Sequence, residues 1–593
     1  MGNPTTAGPA LDLPTDRPLK VYAFDPSLRQ TLGNILTLHV RYEDLEPGPV
    51  GERFAVVDYD GSARTYYTPV NLNDPRILIA DGLDPSESDP RFHQQMVYAV
   101  ASETLERFEA ALGRRVHWRR ISEPRVRSGP NRLYLFPHAM VEANAYYSPE
   151  AHGILFGYFR AGPQGEGDLL PGQTVFTCLS HDIIAHEVTH AIVDGIRSNF
   201  LEPTNIDVAA FHEAFADLAA LFSHFSHREA LLDTVQRTGG RLYGDRLRAD
   251  TDQASDQRFI QAEARPDNPL TSLARQFGQS SGSRSGLRNA LGVPADPTAI
   301  RTLTEPHARG AILVAAVFDA YFSVYIKRTA DLMRVYRAGG GPIDSQELPG
   351  PLAVLLTNQA SHTASMFFRV CARALDYCPP IDITFGDYLR ALITADLDLY
   401  PVDVDGVRDA LMQAFRARGI TPSDAAFFSE QSLSWPKVAQ DAYPPVTGLV
   451  FGDPNGLTWQ EQNINGDVLR AYAHNNAGGL GFDLKRGDIA AASFHPMFRL
   501  AQDGSIKIDM VVELVQTWEA PLVPDAPKLG NVTLRAGATL MIAQQPLRAG
   551  LRADPLIRYV IAKDLAGENS AQVRSSGAGD DGAHINFALI HGG

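Results

Sequence analysis

The stretch DVAAFHEAFADLAALFSHF, Asp207 to Phe225, is apolar on nearly every side when wound as a helix, as a helix enclosed in a protein interior should be. It nevertheless carries Glu213 and Asp217, spaced i,i+4 and therefore one turn apart on a single face. Taking carboxylates out of water is costly unless a cation or hydrogen-bond donors meet them. A fold that buries this helix must bring such partners to that face.

The partners are found upstream, in AHEVTHAI. His186 and His190 are also spaced i,i+4, so their imidazoles share a helix face and can grip one ion. Glu187 lies beside the first of them, on the side where a metal-bound water would sit. A catalytic zinc site needs three protein ligands and an open position. Glu213 supplies the third ligand from the second helix, and Asp217 accepts a hydrogen bond from the non-metal nitrogen of a ligand histidine, fixing its tautomer. The plainer alternative is a buried polar network of two histidines and two acids without metal. His212 lies about 100° round the helix from Glu213 and reads as structural or as a support to a ligand. His224 and His227 read as surface histidines.

The rest of the chain divides by pattern. With 593 residues it is too long for one core, and two to four structural units are expected. Residues 1–17 read as a disordered N-terminus. Residues 18–88 alternate β-rich pieces (KVYAFD, RFAVVDYD, RILIA) with turns. An α+β unit over 89–200 opens with a long helix after an Asp-Pro start, continues in strands at RLYLFPHAM, ANAYY and HGILFGYF, and carries the HEVTH helix. A helical unit over 201–420 holds Glu213. A linker over 421–447 leads to a β-rich domain over 448–593. The formal charge of 53 − 69 = −16 argues against nucleic-acid binding. Three scattered cysteines exclude a disulfide framework, and Cys371 and Cys378, although able to pair, read as two buried thiols. No secretory signal is visible, and MGNPTT meets only a loose myristoylation pattern without a polybasic patch. No apolar run of about 18 residues occurs, so no membrane span is expected. The expectation is a cytoplasmic protein, unless export uses a non-standard route.

With HEVTH and HEAFAD in place, the chain resembles the thermolysin family of zinc metallopeptidases, in which HExxH is followed by a second-helix Glu-x-x-x-Asp. The likeness covers about residues 85–420. VEANAYYSPEAHGILFG is similar to the family's edge strand, which casts Asn144 and Ala145 as substrate-binding residues. TEPHARGAILVAAVFDAY resembles the segment carrying the transition-state histidine, here His307. Arg288, in SGLRNALGVP, matches the family's arginine that holds a substrate carbonyl, or is simply a solvated loop residue. The resemblance implies an α+β fold: a zincin-like catalytic core, its N-terminal sheet and active-site helix followed by a mainly helical lobe, here with a separate C-terminal β-rich domain.

The implied function is a zinc-dependent endopeptidase with one catalytic Zn2+, Glu187 as general base, His307 as oxyanion stabiliser, and a peptide or protein as substrate. Three departures qualify it. The family's tyrosine after HExxH is missing from IRSNFLEPT, leaving His307 alone unless another phenol such as Tyr146 enters. The calcium cluster retains Asp182 but meets SHFSHREALLD where acids are usual, so structural calcium is doubtful. The secretory signal common in the family is not visible. The rival readings are an aminopeptidase on the same metal and a zinc-bound scaffold, catalytically weak or inactive, whose C-terminal domain binds a partner.

Overall fold

The computed structural model describes residues 14–23, 26, 34–119, 131–162, 171–237, 240, 295–341, 348–439, 441–453, 456–500, 504–521, 531–545, 547–548, 551–564 and 585–591. It is a mixed α/β structure with a helical region and a separate C-terminal β-sheet region.

Strands β1 (Asp16–Tyr22) and β2 (Ile35–Arg41) form an antiparallel pair with period-two burial. Arg17, expected within a disordered tail, is instead buried in β1. Its guanidinium donates to the carbonyls of Leu72 and Glu43 and to Asn73. The piece RILIA, expected as a strand, lies in helix α1 (Pro75–Ile79). Local capping overrides the β-branched composition there: the Asp74 side chain accepts from Arg76 N–H, and Pro75 sits at the first helical position.

Helix α2 (Pro90–Leu112) packs against β1 and β2 and ends at Gly113 in the left-handed region, φ 63°. It also lies close to a five-stranded sheet built from β3 (Phe54–Val56), β4 (Leu133–Met140), β5 (Ala145–Ser148), β6 (Gly153–Arg160) and β7 (Thr174–Phe176). The order is β3-β4-β6-β5, with β7 also joined to β6; β4 and β6 run parallel, and β5 runs antiparallel along the edge. Gly157 permits this edge. A Cβ there would lie 2.3 Å from the Glu142 carbonyl and 2.6 Å from that of Asn144.

The helical region begins with α3 (His181–Ile196), capped by Ser180, and α4 (Ile206–Ser226), capped by Asn205. It continues with α5 (Pro306–Ala338), α6 (Gly350–Ala374), α7 (Phe385–Leu399) and α8 (Val407–Ala417). By length and composition α5 is apolar enough to cross a bilayer, which a scan for unbroken apolar runs does not flag; its apolar window is 72% buried inside the fold. One continuous apolar core joins this region to the N-terminal sheets.

The C-terminal region packs helix α9 (Trp459–Asn475) on an antiparallel sheet ordered β8 (Ile489–Leu500), β9 (Ile506–Pro521), β10 (Asn531–Ala543), β11 (Leu556–Asp564). Every residue from Asp509 to Gln516 on β9 is buried. One set (Met510, Val512, Leu514) faces this region's own core, whereas Val511 joins the core of the helical region, so both faces of the sheet are covered. Arg197 crosses between the regions, donating to the Leu375 carbonyl at 2.9 Å and to Thr539 at 3.1 Å, and pairing with Glu513 at 3.1 Å. The cysteines are free and buried.

Arg114, just past α2, makes a two-pronged buried bond to Asp376, 2.6 Å at each oxygen. Burial pushes the Asp376 carboxyl upward, but Arg114, Arg373 and Arg197 outweigh it and hold the carboxyl below its ordinary value of 3.8. A depressed folded-state value gives stability that is present above about pH 4 and lost on acidification through the folded value. Asp376→Asn strands buried guanidinium charge and is expected to cost about 3–5 kcal/mol in urea unfolding at neutral pH. A loss below about 1 kcal/mol would show that the pair is screened as surface pairs are.

Candidate metal centre

Helices α3 and α4 pack side by side, and their facing polar residues meet in an otherwise apolar interior. His186 Nε2 and His190 Nε2 are 3.0 Å apart. Glu213 reaches across with Oε2 3.4 Å from His186 Nε2 and Oε1 3.7 Å from His190 Nε2. All three side chains are buried. Glu213 Oε1 is buried without a hydrogen bond among the described residues, which is costly unless a cation is its partner. The donor set of two imidazoles and one carboxylate is that of a catalytic zinc site. The residues therefore fit a divalent ion.

The supporting contacts orient these groups. His186 Nδ1 lies 3.0 Å from Asp217 Oδ1, and His190 Nδ1 lies 3.3 Å from His212 Nδ1. Burial disfavours charge on His186, yet Asp217 and Glu213 outweigh burial and lift its pKa to about 9. The pocket thus favours positive charge at this point, whether on a proton or on an ion. Glu187 is fully buried, and its Oε2 accepts from the backbone N–H of Tyr147 on the edge strand β5 at 2.9 Å. The Tyr147 phenol donates to Asp194 at 2.7 Å.

The structure brings His307 to the same centre. It stands in the first turn of α5, with Nε2 3.3 Å from Glu213 Oε2 and Nδ1 3.0 Å from Glu305 Oε1. Glu305 also caps α5 through the His307 and Ala308 N–H groups. The hydrogen bond from His307, opposed by burial, helps to bring the Glu305 carboxyl down to about 2. Burial would lower His307, but Glu213 and Glu305 raise it to about 10. Gly310, one turn on, sets the spacing between α5 and α4: a Cβ there would lie 2.8 Å from the Ala210 carbonyl. Arg309 bonds Asp207 on α4 at 2.5 Å and locks the same crossing.

Asn144 and Ala145 sit at the start of β5, beside the centre. The Ala145 carbonyl is engaged by a residue with no spacing pattern to announce it, His591, in the short helix α10 (Phe587–His591). His591 is buried, with Nε2 3.2 Å from Glu213 Oε2 and Nδ1 3.3 Å from Glu187 Oε1. Nothing local marks it: it lies 378 residues from Glu213 along the chain.

Other expectations fare differently. Arg288 lies outside the described residues. Tyr146 is half-buried, and no described contact joins its phenol to the centre. His224 is not a surface residue; it is 1% exposed, with Nδ1 3.3 Å from Asp182 Oδ1. His227 is half-buried, 3.4 Å from Glu103, which also meets His181 at 3.5 Å. Arg107 of α2 bonds Ser223 and Ser226 at the end of α4, so that this end lies against α2 and the start of α3. Histidines therefore stand beside Asp182 where calcium would want oxygen ligands. Glu103, His181 and His227 place ligand atoms within 4.8 Å of one another, as do His93, His138 and Cys178. In the latter, His138 already bridges His93 at 2.9 Å and Asp58 at 2.7 Å.

No family model and no curated protein matches this sequence.

Asp217→Asn removes the acceptor that holds His186 in its ligand orientation. The expected result is a roughly 10–100-fold loss in zinc affinity, measured by competition with a chromophoric chelator. Unchanged affinity would remove Asp217 from the site.

Proposed function

We propose that the chain is a zinc-dependent endopeptidase with a zincin-like core. The observation that carries this reading is the convergence of His186, His190 and Glu213 beside a buried Glu187 that the edge strand β5 orients through the Tyr147 N–H. Zinc held by those three residues would supply a Lewis acid that polarises the scissile carbonyl and lowers the pKa of a bound water toward neutrality.

The residues of the chain divide the remaining work. Glu187, fixed by Tyr147 N–H at one oxygen, turns its other oxygen toward the centre, where it takes the proton from the attacking water and returns it to the leaving amine. His307, held by Glu305, donates to the oxygen that gains charge as the carbonyl becomes tetrahedral. The β5 edge, with the Ala145 carbonyl and the Asn144 amide, takes a substrate as an added strand.

His591 favours a second reading, because a closed shell of four protein ligands is the mark of structural zinc. In that reading the domain is a zinc-stabilised scaffold. Glu187 weighs against it: a buried carboxylate beside a structural ion has no task and is costly to bury.

Glu187→Gln is expected to keep one zinc per chain and to slow hydrolysis of an unfolded protein by about 10²–10⁴-fold relative to the same chain carrying Glu187. Full retention of cleavage would exclude Glu187 as the base.

A further inference from the structure

We propose that His591 is a fourth ligand of the metal and that residues 585–591 occupy the substrate cleft, so that this form of the protein is latent. The proposal rests on the metallopeptidase reading. A tetrahedral ion with ligands about 2.0–2.1 Å away has ligand-to-ligand edges of about 3.3 Å. Glu213 Oε2 stands 3.4 Å from His186 Nε2 and 3.2 Å from His591 Nε2, while His190 Nε2 stands 3.0 Å from His186 Nε2 and 3.7 Å from the other Glu213 oxygen, Oε1. The ligand atoms of all four residues lie within 4.8 Å of one another. His591 therefore stands at the corner that water would take in a catalytic site.

Its tautomer is set for that role. His591 Nδ1 lies 3.0 Å from the Ala145 carbonyl, which can only accept, so Nδ1 carries the proton. Nε2 is then the ring nitrogen that faces the Glu213 carboxylate, 3.2 Å from Oε2, and the atom that a metal between them would bind.

The remaining contacts are those a peptide substrate would make. The Asn144 side-chain amide donates to the Ala588 carbonyl at 3.4 Å, and the Ala145 carbonyl is taken by His591. The Phe587 ring lies 4.2 Å from that of His190 and is 1% exposed. Ile585 N–H donates to the Leu201 carbonyl at 2.7 Å and anchors the segment's start. Asn144 and Ala145, two of the residues assigned to substrate binding, are thus engaged by the chain itself, and the Glu187 oxygen that faces the centre is met by His591. With the corner filled and the edge strand covered, neither water nor peptide has access until the segment leaves. Leu589 points outward, 75% exposed.

The test is zinc K-edge absorption fine structure on the full chain, wild type beside His591→Ala, with cleavage of dye-labelled unfolded casein measured in parallel. The wild-type zinc is expected to show three imidazoles. His591→Ala is expected to show two, and to cleave at least about tenfold faster, because removing a competitor raises the fraction of open sites. His591→Gln, judged folded by an unchanged unfolding midpoint, repeats the comparison should alanine disturb folding. Leu589→Glu is the control and should match wild type in both measurements. An imidazole count that does not change in the folded variants overturns the proposal. A shell that loses one imidazole while no protein cleaves casein upholds His591 as ligand and brings down the peptidase reading instead.

Discussion

Positive charge held between two apolar helices is the constraint on which the rest of the molecule depends. α3 and α4 bury two imidazoles and a carboxylate in a setting where each, left alone, would be expensive. Glu213 is held well below the ordinary carboxylate range: burial opposes ionisation, and the surrounding His591, His307 and His190 overcome it. A divalent ion would satisfy all of these groups at once, including the Glu213 oxygen that has no hydrogen bond.

The architecture serves to keep that point fixed. α5 must approach α4 closely enough for His307 to reach Glu213, and Gly310 and the Arg309–Asp207 pair set that distance. The sheet must deliver its edge to Glu187, which Gly157 allows by letting the Glu142–Asn144 turn fold onto β6. The C-terminal sheet region is tied to the back of the helical region through Arg197, away from the HEVTH residues on the same helix. In the metallopeptidase reading, the chemistry would stand on helices and an edge strand, whose geometry packing can hold to the tolerance catalysis needs.

What was legible in the sequence was what is local. The i,i+4 spacings of His186 with His190 and Glu213 with Asp217 are properties of single helices, so their pairing could be read from apolar surroundings and ligand chemistry. His307, at the start of a long helix after Pro306, was found by resemblance, and its distance to Glu213 became visible only in the fold. RILIA was misread because its β-branched composition was weighed above the Asp74-Pro75 helix start. His224 was misread because its partners, Asp182 and His181, stand at the start of α3, 42 residues or more earlier in the chain. His591 was out of reach altogether: neither period nor motif links it to residues near 190. The helix Trp459–Asn475 did carry a signal, the Thr458–Glu461 capping box, within a region read for its strands.

The central claim is that one divalent ion sits among His186, His190 and Glu213. The most direct measurement is anomalous diffraction from a crystal of the zinc-loaded protein, recorded on both sides of the zinc absorption edge. The account predicts a peak about 2.0–2.2 Å from both Nε2 atoms and the Glu213 carboxylate. The absence of a peak there, or a single peak among Glu103, His181 and His227 instead, would contradict it.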